Sequence, residues 1–177
     1  MKDPGDETPV MLEIAVEADE EWDSSRCWDD IVRNAAEAAI AESAFPQLAI
    51  SGRPIELSVR LTGNGKVREL NAEWRGKDKP TNVLSFPLAS ELEFRATNVA
   101  GPELLLGDIV LAHGVCSDEA AEKGVSFEEH ATHLLIHGTL HLLGYDHHDE
   151  GQAADMEARE VRALNRLGIA NPYEEAA

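Results

Sequence analysis

The sequence predicts an α+β protein with a small sheet, in preference to a doubly wound one, and a metal site at the end of a central helix. Apolar residues occupy every second position in Val10–Val16 and Ile55–Leu61, which indicates strands with one buried face. Amphipathic segments alternate irregularly with these strands. The metal prediction comes from three histidines of residues 137–147 and from Gly144, which lies between the second and the third.

The elements follow a simple order along one domain, predicted to span residues 10–173. Charged residues 1–9 contain two prolines and predict a disordered tail, and residues 174–177 form a second tail. After the first strand, Ser24 or Ser25 is expected to cap a helix that reaches about Phe45. The remaining predictions are a strand at 55–61, a short helix at 66–74, a basic loop at 75–81, a strand at 82–86 at a sheet edge, an exposed irregular loop at 89–102, a strand at 104–112 buried on both faces, and helices at 115–123, 127–143 and 152–167.

Charge is unevenly distributed along this acidic chain. The net charge of −19 argues against a polyanionic partner, but residues 51–81 carry seven basic and four acidic side chains. The net charge of this segment is therefore +3, and that of the rest of the chain is −22. A local basic surface of this kind is able to bind phosphates within an acidic protein.

The two cysteines, Cys27 and Cys116, form no metal or redox motif, so we expect both to be buried reduced thiols. The chain shows no signal-peptide pattern and no apolar stretch long enough to span a membrane. These observations predict a cytoplasmic protein without a membrane partner.

The central helix carries the chemistry. His137 and His141 are four residues apart, so their imidazoles lie on one face of a helix. His147 would point elsewhere if the helix continued, but Gly144 is able to adopt a positive φ and end it. The turn would bring His147 back to the other two rings. His130 and His133 share the same stripe, but only the set of 137, 141 and 147 explains the glycine.

Three neutral imidazoles leave one tetrahedral position open, which is typical of a catalytic zinc site. We therefore predict one Zn²⁺ per chain, with Ni²⁺, Cu²⁺ and Fe²⁺ as competitors. The spacing also resembles the metzincin peptidase signature, but Gly138 stands where those enzymes carry a glutamate as general base. This difference disfavours peptide hydrolysis.

The segment His-Gly-Thr-Leu-His-Leu-Leu-Gly-Tyr-Asp-His at 137–147 resembles the signature of the YbeY family. Members of that family are bacterial metal-dependent endoribonucleases that act in ribosomal RNA maturation. Arg-Gly-Lys-Asp-Lys-Pro-Thr-Asn-Val-Leu-Ser-Phe-Pro at 75–87 resembles its second diagnostic segment, and the similarity covers roughly residues 55–173. The first fifty residues agree only in the order of their elements.

The resemblance implies a mostly parallel four-stranded sheet packed with about five helices, and zinc on His137, His141 and His147. It also implies that Arg60 serves the active site, although the strand pattern alone indicates a solvated arginine. Arg60 would stabilise charge on the phosphodiester, so its loss should cost rate more than zinc content. Arg75, Lys77 and Lys79 would bind the RNA backbone.

The predicted function is therefore single-strand-specific cleavage of RNA in ribosomal RNA maturation and ribosome quality control, with ribosomal subunits as partners and no DNA. The proton acceptor is open between a second water, Asp146 and the 2′-hydroxyl of the substrate. Asp146 is alternatively an orienting partner of a ligand imidazole. Two other functions fit the pattern: a metzincin-type zinc hydrolase of peptides or small molecules, and a non-catalytic ribosome assembly factor.

Overall fold

A computed structural model describes residues 12–50, 53–96 and 102–174. The predicted tail at 1–9 lies outside these residues, as does most of the tail at 174–177. The described strands are β1 Glu13–Ala18, β2 Ile55–Thr62, β3 Val83–Pro87 and β4 Leu104–Ala112. The described helices are α1 Trp28–Ala41, α2 Asn64–Arg75, α3 Glu91–Arg95, α4 His113–Lys123, α5 Phe127–Leu142 and α6 Glu150–Arg166, with a 3₁₀ turn at Pro46–Ile50.

The four strands form one sheet in the order β1-β2-β4-β3. β1 and β2 are parallel, as are β2 and β4, whereas β3 runs antiparallel to β4 at the edge. The sheet is therefore mixed, and the expectation of a mostly parallel sheet was wrong. The short α3 segment lies between β3 and β4, so the chain returns alongside β3 instead of crossing the sheet, and such a return gives antiparallel neighbours. The edge position of β3, which Pro87 indicated, is confirmed.

The main core lies on one face of the sheet, under α1 and α5. Alternate residues of β2, namely Ile55, Leu57, Val59 and Leu61, point into this core. A smaller cluster on the other face joins Val67 of α2 to Leu84, Val110 and Ala112. Because α2 packs on β3 and β4, no helix among the described residues covers the β1 and β2 side of that face.

Two local predictions needed correction. The first helix begins at Trp28 instead of Ser24 or Ser25, because Asp23 holds the preceding residues in turns through the backbone N–H groups of Ser25 and Arg26. The predicted exposed loop at 89–102 contains α3, which a capping box between Ser90 and Glu93 begins. Residues 97–101 of that loop lie outside the described residues.

Phe94 explains why α3 forms, since its ring is only 1% exposed and packs against Phe45 at 5.1 Å between centroids. With α3, the described residues contain six helices instead of about five. The cysteine prediction was half right: Cys116 is buried, but Cys27 is exposed at the start of α1, and neither forms a disulfide. No helix among the described residues is long and apolar enough to cross a membrane.

Candidate metal centre

The end of α5 has the hydrogen-bond pattern that the sequence suggested. The backbone N–H of Gly144 donates to the carbonyl of His141, and that of Tyr145 donates to the carbonyl of Leu140. These two bonds form a Schellman motif, which requires a left-handed residue directly after the helix. Gly144 fills this position with φ 95°. The turn reverses the chain and carries His147 toward the helix it has just left.

His137, His141 and His147 form a compact group. One ring nitrogen of each lies within 4.8 Å of the others. The ring centroids of His141 and His147 are 5.2 Å apart, and those of His137 and His141 are 4.5 Å apart. The side chain of His147 is 58% exposed, so the group opens to solvent on that side.

Hydrogen bonds determine which nitrogens are free. The Nδ1 atom of His137 bonds to a carboxylate oxygen of Glu160, and that of His141 lies 2.8 Å from the carbonyl oxygen of Tyr145. Both partners are acceptors, so both Nδ1 atoms carry the proton. The Nε2 lone pairs are then available, and they face each other at 3.0 Å.

This arrangement fits a metal ion. Two lone pairs that face each other repel unless a cation lies between them. Tetrahedral Zn²⁺ with bonds of about 2.0–2.1 Å would place two nitrogens about 3.3 Å apart, close to the spacing present. Burial lowers the pKa of His141 to about 4, helped by the neighbouring His137, so that ring is neutral at pH 7. Three imidazole nitrogens on one ion are a donor set that suits zinc.

Glu160 of α6 is a site residue that the sequence analysis missed. Its side chain is 0% exposed, and it accepts hydrogen bonds from His137, from His133 and from the hydroxyl of Tyr173. Burial alone would raise the pKa of Glu160, but the bonds from His133 and His137 lower it to about 2. The carboxylate therefore stays charged and holds the His137 ring in one tautomer and orientation.

A sequence signal for Glu160 existed. It follows Met156 by four residues and precedes Leu164 by four, so it lies on the apolar stripe of the last helix. A carboxylate at a buried helical position needs charged or hydrogen-bonding partners. His130 and His133 are also buried in α5, where His130 contacts Glu119 at 3.1 Å, and neither belongs to the histidine group.

Asp146 lies beside the histidine group but contacts another ring more closely. One of its oxygens accepts the backbone N–H of His147 at 2.8 Å and lies 3.7 Å from that residue's Nδ1. The other oxygen is 2.7 Å from Nε2 of His148. The predicted orienting role of Asp146 therefore stays a prediction, whereas Glu160 and the Tyr145 carbonyl contact ligand rings directly.

The three histidines line a cavity of about 740 Å³ between α5, β3 and the end of α2. Arg75 and Asp146 line the same cavity. Arg60 does not; it lines an adjoining cavity on the sheet face, and the two cavities share Trp74 and Phe86. In the described part of the chain, Lys77 and Lys79 are exposed after α2 and line neither cavity.

Six of the seven basic side chains of residues 53–79 divide into two groups, and the seventh, Arg53, donates a hydrogen bond to the carbonyl of Pro102. Arg68 forms a bidentate pair with Asp78, and Lys66 pairs with Glu69. Arg60, Arg75, Lys77 and Lys79 have no ion pair with any described residue. The four cations predicted to contact RNA are thus the ones that protein carboxylates leave available.

Gly138 faces the sheet instead of the cavity. A Cβ atom at this position would lie 3.0 Å from Cγ2 of Ile109 and 3.3 Å from Oγ of Ser85. Glycine lets α5 approach β3 and β4 this closely without displacing the side chain of Ile109. A glutamate in the metzincin position would therefore enter the packed interface and not reach a metal-bound water.

Comparison with known proteins gives a consistent result. A model of the family described as endoribonuclease YbeY matches residues 14–168. A protein from Sphingopyxis alaskensis named endoribonuclease YbeY is 50% identical over 92% of this chain and 98% of its own length. A protein of the same name from Rhizorhabdus wittichii is 48% identical over 92% of this chain and 97% of its own length.

A solved structure shows the same fold. The solution structure of a Thermotoga maritima protein matches with a TM-score of 0.51 at 23% identity, covering 93% of this chain and 100% of that protein. The sequence matches extend over the sheet, α5 and the histidine group alike. This chain therefore belongs to the endoribonuclease YbeY family.

Proposed function

We propose that this protein is a zinc-dependent endoribonuclease that cleaves single-stranded RNA in ribosomal RNA maturation and ribosome quality control. The observation that carries the proposal is the convergence of His137, His141 and His147 in one open cavity with Arg75. Family membership supports RNA as the substrate. Ribosomal subunits would be the partners, and the reaction would take place in the cytoplasm.

Each residue has a defined task in this proposal. The three imidazoles hold the ion, and Glu160 and the Tyr145 carbonyl hold two of those imidazoles. When bound, zinc supplies a Lewis acid for a phosphoryl oxygen and a more acidic water. Arg75 lines the same cavity and would bind a non-bridging oxygen of the scissile phosphate. Lys77 and Lys79 would bind neighbouring phosphates.

Metal-dependent cleavage is the direct test. The chelator-treated protein, alone and reloaded with Zn²⁺, Mn²⁺ or Mg²⁺, would be incubated with single-stranded RNA, duplex RNA and single-stranded DNA. We expect cleavage of single-stranded RNA after zinc reloading and none by the His137→Ala variant. Ribosomal subunit binding without cleavage by the zinc-loaded protein would instead identify a non-catalytic assembly factor.

The ends of the products identify the nucleophile. A 2′,3′-cyclic phosphate would show that the substrate's own 2′-hydroxyl attacks, whereas its absence from the earliest products would show attack by water. Asp146→Asn completes this test because its carboxylate is the protein base considered for the site. If that variant cleaves at the normal rate, Asp146 is not the proton acceptor.

Kinetic measurements distinguish the roles of Arg60 and Arg75. We predict that Arg75→Ala lowers kcat about 100-fold or more, because charge stabilisation of this kind is worth about 10²–10³ in rate. Arg60 was predicted to stabilise the phosphate, but it lines the adjoining cavity, so Arg60→Ala is expected to raise KM more than it lowers kcat. If Arg60→Ala loses kcat and Arg75→Ala does not, Arg60 has the phosphate role.

Peptide hydrolysis has less support. Gly138 supplies no base, and a longer side chain at this position would press against Ile109 and Ser85. A casein assay with the zinc-loaded protein is expected to show no activity.

A further inference from the structure

The adjoining cavity has a volume of about 530 Å³ and lies on the sheet face that α2 leaves uncovered. This size is within the range of small-molecule sites, about 300–1,000 Å³. Its apolar lining comes mainly from Leu70, Trp74, Phe86, Leu88 and Val110. Its polar lining comes from Glu17, Ser58, Arg60 and Asp108.

Trp74 separates this cavity from the metal cavity. Its side chain lines both cavities and is 66% exposed, which is unusual for a residue of this size. The ring of Phe86 supports it edge-on, with 6.4 Å between centroids and 66° between planes. The next residue, Arg75, lines the metal cavity. A chain of nucleotides whose phosphate reaches the histidines would therefore pass the indole face.

Arg60 and Asp108 provide polar groups beside this aromatic surface. They lie on neighbouring parallel strands, where Ser58 is opposite Asp108 and Arg60 is opposite Val110. The two charged residues are thus two positions apart on the same face of the sheet. Neither side chain has a hydrogen bond or ion pair with any described residue, so both side chains are available to a ligand.

The charges indicate which part of RNA the cavity would accept. Glu17 and Asp108 are two carboxylates against the single guanidinium of Arg60, so the lining is unfavourable for a phosphate. A nucleobase is neutral and flat, stacks on aromatic rings, and carries donors and acceptors on its edge. Asp108 accepts hydrogen bonds and Arg60 donates them, which matches the amino groups and the ring or carbonyl acceptors of a base.

We propose that this cavity binds an unpaired nucleobase next to the scissile phosphodiester, stacked on Trp74 with its edge toward Arg60 and Asp108. The proposal rests on the proposed function and adds a reason for single-strand preference. A base within a duplex is stacked and paired, so it cannot enter the cavity.

Binding of a short 2′-O-methyl RNA to the zinc-loaded protein tests the proposal, because this probe lacks the 2′-hydroxyl nucleophile, and a gel run after the titration checks that attack by water has not cleaved it. We expect Trp74→Ala to raise its Kd about 10-fold, the effect typical of one lost base stack. Trp74→Phe keeps an aromatic face and should stay within about threefold of the wild type. Leu92→Ala is the matched control, since Leu92 is 80% exposed and lines neither cavity.

A double-mutant cycle assigns the effect to a base. A series of probes would each carry one abasic unit at a different position. In the wild-type protein, removing the base at one position should weaken binding about 10-fold. In Trp74→Ala, removing the same base should weaken binding little further, because its stacking partner is already absent. Unchanged binding by Trp74→Ala, or equal losses at every abasic position in both proteins, would overturn the proposal.

Failure here is distinguishable from failure of the proposed function. If the protein cleaves RNA with zinc but Trp74 and the abasic position show no coupling, the proposed nuclease activity stands and the proposed base site is wrong. If coupling is found without cleavage, the proposed base site stands in an RNA-binding protein and the proposed nuclease activity is wrong. Because Trp74 is mostly exposed, the melting temperature of Trp74→Ala should equal that of the wild type within a few degrees.

Discussion

At the residue scale, the candidate metal centre depends on side chains outside the histidine group. Glu160 contacts His137 from another helix, and its charge is fully buried among hydrogen-bond donors. The hydroxyl of Tyr173 contributes one of these bonds, and burial together with Glu160 raises the pKa of Tyr173, so it remains a donor. The ligand ring is therefore oriented before any ion arrives, which reduces the entropy lost on binding.

Replacement of Glu160 by glutamine tests this role. Glutamine has the same shape but lacks the charge that favours the Nδ1–H tautomer of His137, so we predict a zinc affinity about 10- to 100-fold weaker. Competition with a chromophoric chelator measures the affinity, and ¹⁵N spectra of the metal-free protein report the His137 tautomer. Glu122→Gln, an exposed acid on α4, is the control with the same charge change. Wild-type affinity in Glu160→Gln would contradict the role.

The two thiols should differ sharply in reactivity. Burial, helped by Glu119, raises the pKa of Cys116 to about 12, so almost no thiolate forms at pH 8. Cys27 is exposed. A disulfide reagent such as DTNB is therefore predicted to modify one thiol per native chain at pH 8 and two after unfolding in guanidinium. Loss of the native reaction in Cys27→Ser identifies the reactive residue, and rapid modification of two native thiols would contradict the assignment.

At the element scale, α5 and the turn after it position the three histidines. The helix supplies two imidazoles one turn apart, and the Schellman motif at Gly144 directs the third toward them. Gly138 lets the same helix pack closely on the sheet, which places the cavity between α5 and β3. The end of α6 has a similar turn, in which Gly168 has φ 75°.

These two glycines make a matched pair of variants. Alanine is strained at a positive φ by about 1–2 kcal/mol, and no neighbouring atom lies within 4 Å of a Cβ at either position. We predict that Gly144→Ala and Gly168→Ala lose similar amounts of stability in urea unfolding. Only Gly144→Ala should weaken zinc binding, because its turn carries His147. Equal zinc affinity in both variants would show that the turn does not position that ligand.

At the scale of the whole molecule, an acidic protein presents a small set of unpaired cations to RNA. The net charge of −19 repels nucleic acid at a distance, while Arg60, Arg75, Lys77 and Lys79 lack carboxylate partners among the described residues. Binding would therefore depend on a few contacts near the cavities instead of a broad basic surface.

Salt dependence measures the number of these contacts. Each phosphate contact with a single strand contributes about −0.7 to the slope of log K against log salt, so contacts from Arg75, Lys77 and Lys79 predict a slope of about −2. Removing Lys77 and Lys79 together should reduce the slope by about 1.4. Anisotropy titrations in several KCl concentrations measure it, with Lys123→Ala as a control outside the basic segment. An unchanged slope would exclude these lysines from the RNA contact.

The sequence by itself determined the features that depend on nearby residues. Helix periodicity places His137 and His141 on one face, and backbone sterics explain the turn at Gly144; both act over a few residues. The absence of a base at position 138 is evident from the glycine itself. The edge position of β3 followed from Pro87 in the same way. The short α3 was missed, because its formation depends on a contact between Phe94 and the distant Phe45.

Only the tertiary structure decided what meets across the fold. It made the sheet mixed, brought Glu160 to His137, and distributed Arg75 and Arg60 between two adjoining cavities. No local rule contains these contacts, because packing of distant helices and strands brings together residues far apart in the chain. The grouping of the three histidines was thus predictable from spacing, whereas the orientation of their rings and the surroundings of the two cavities depend on how α2, α5 and α6 pack.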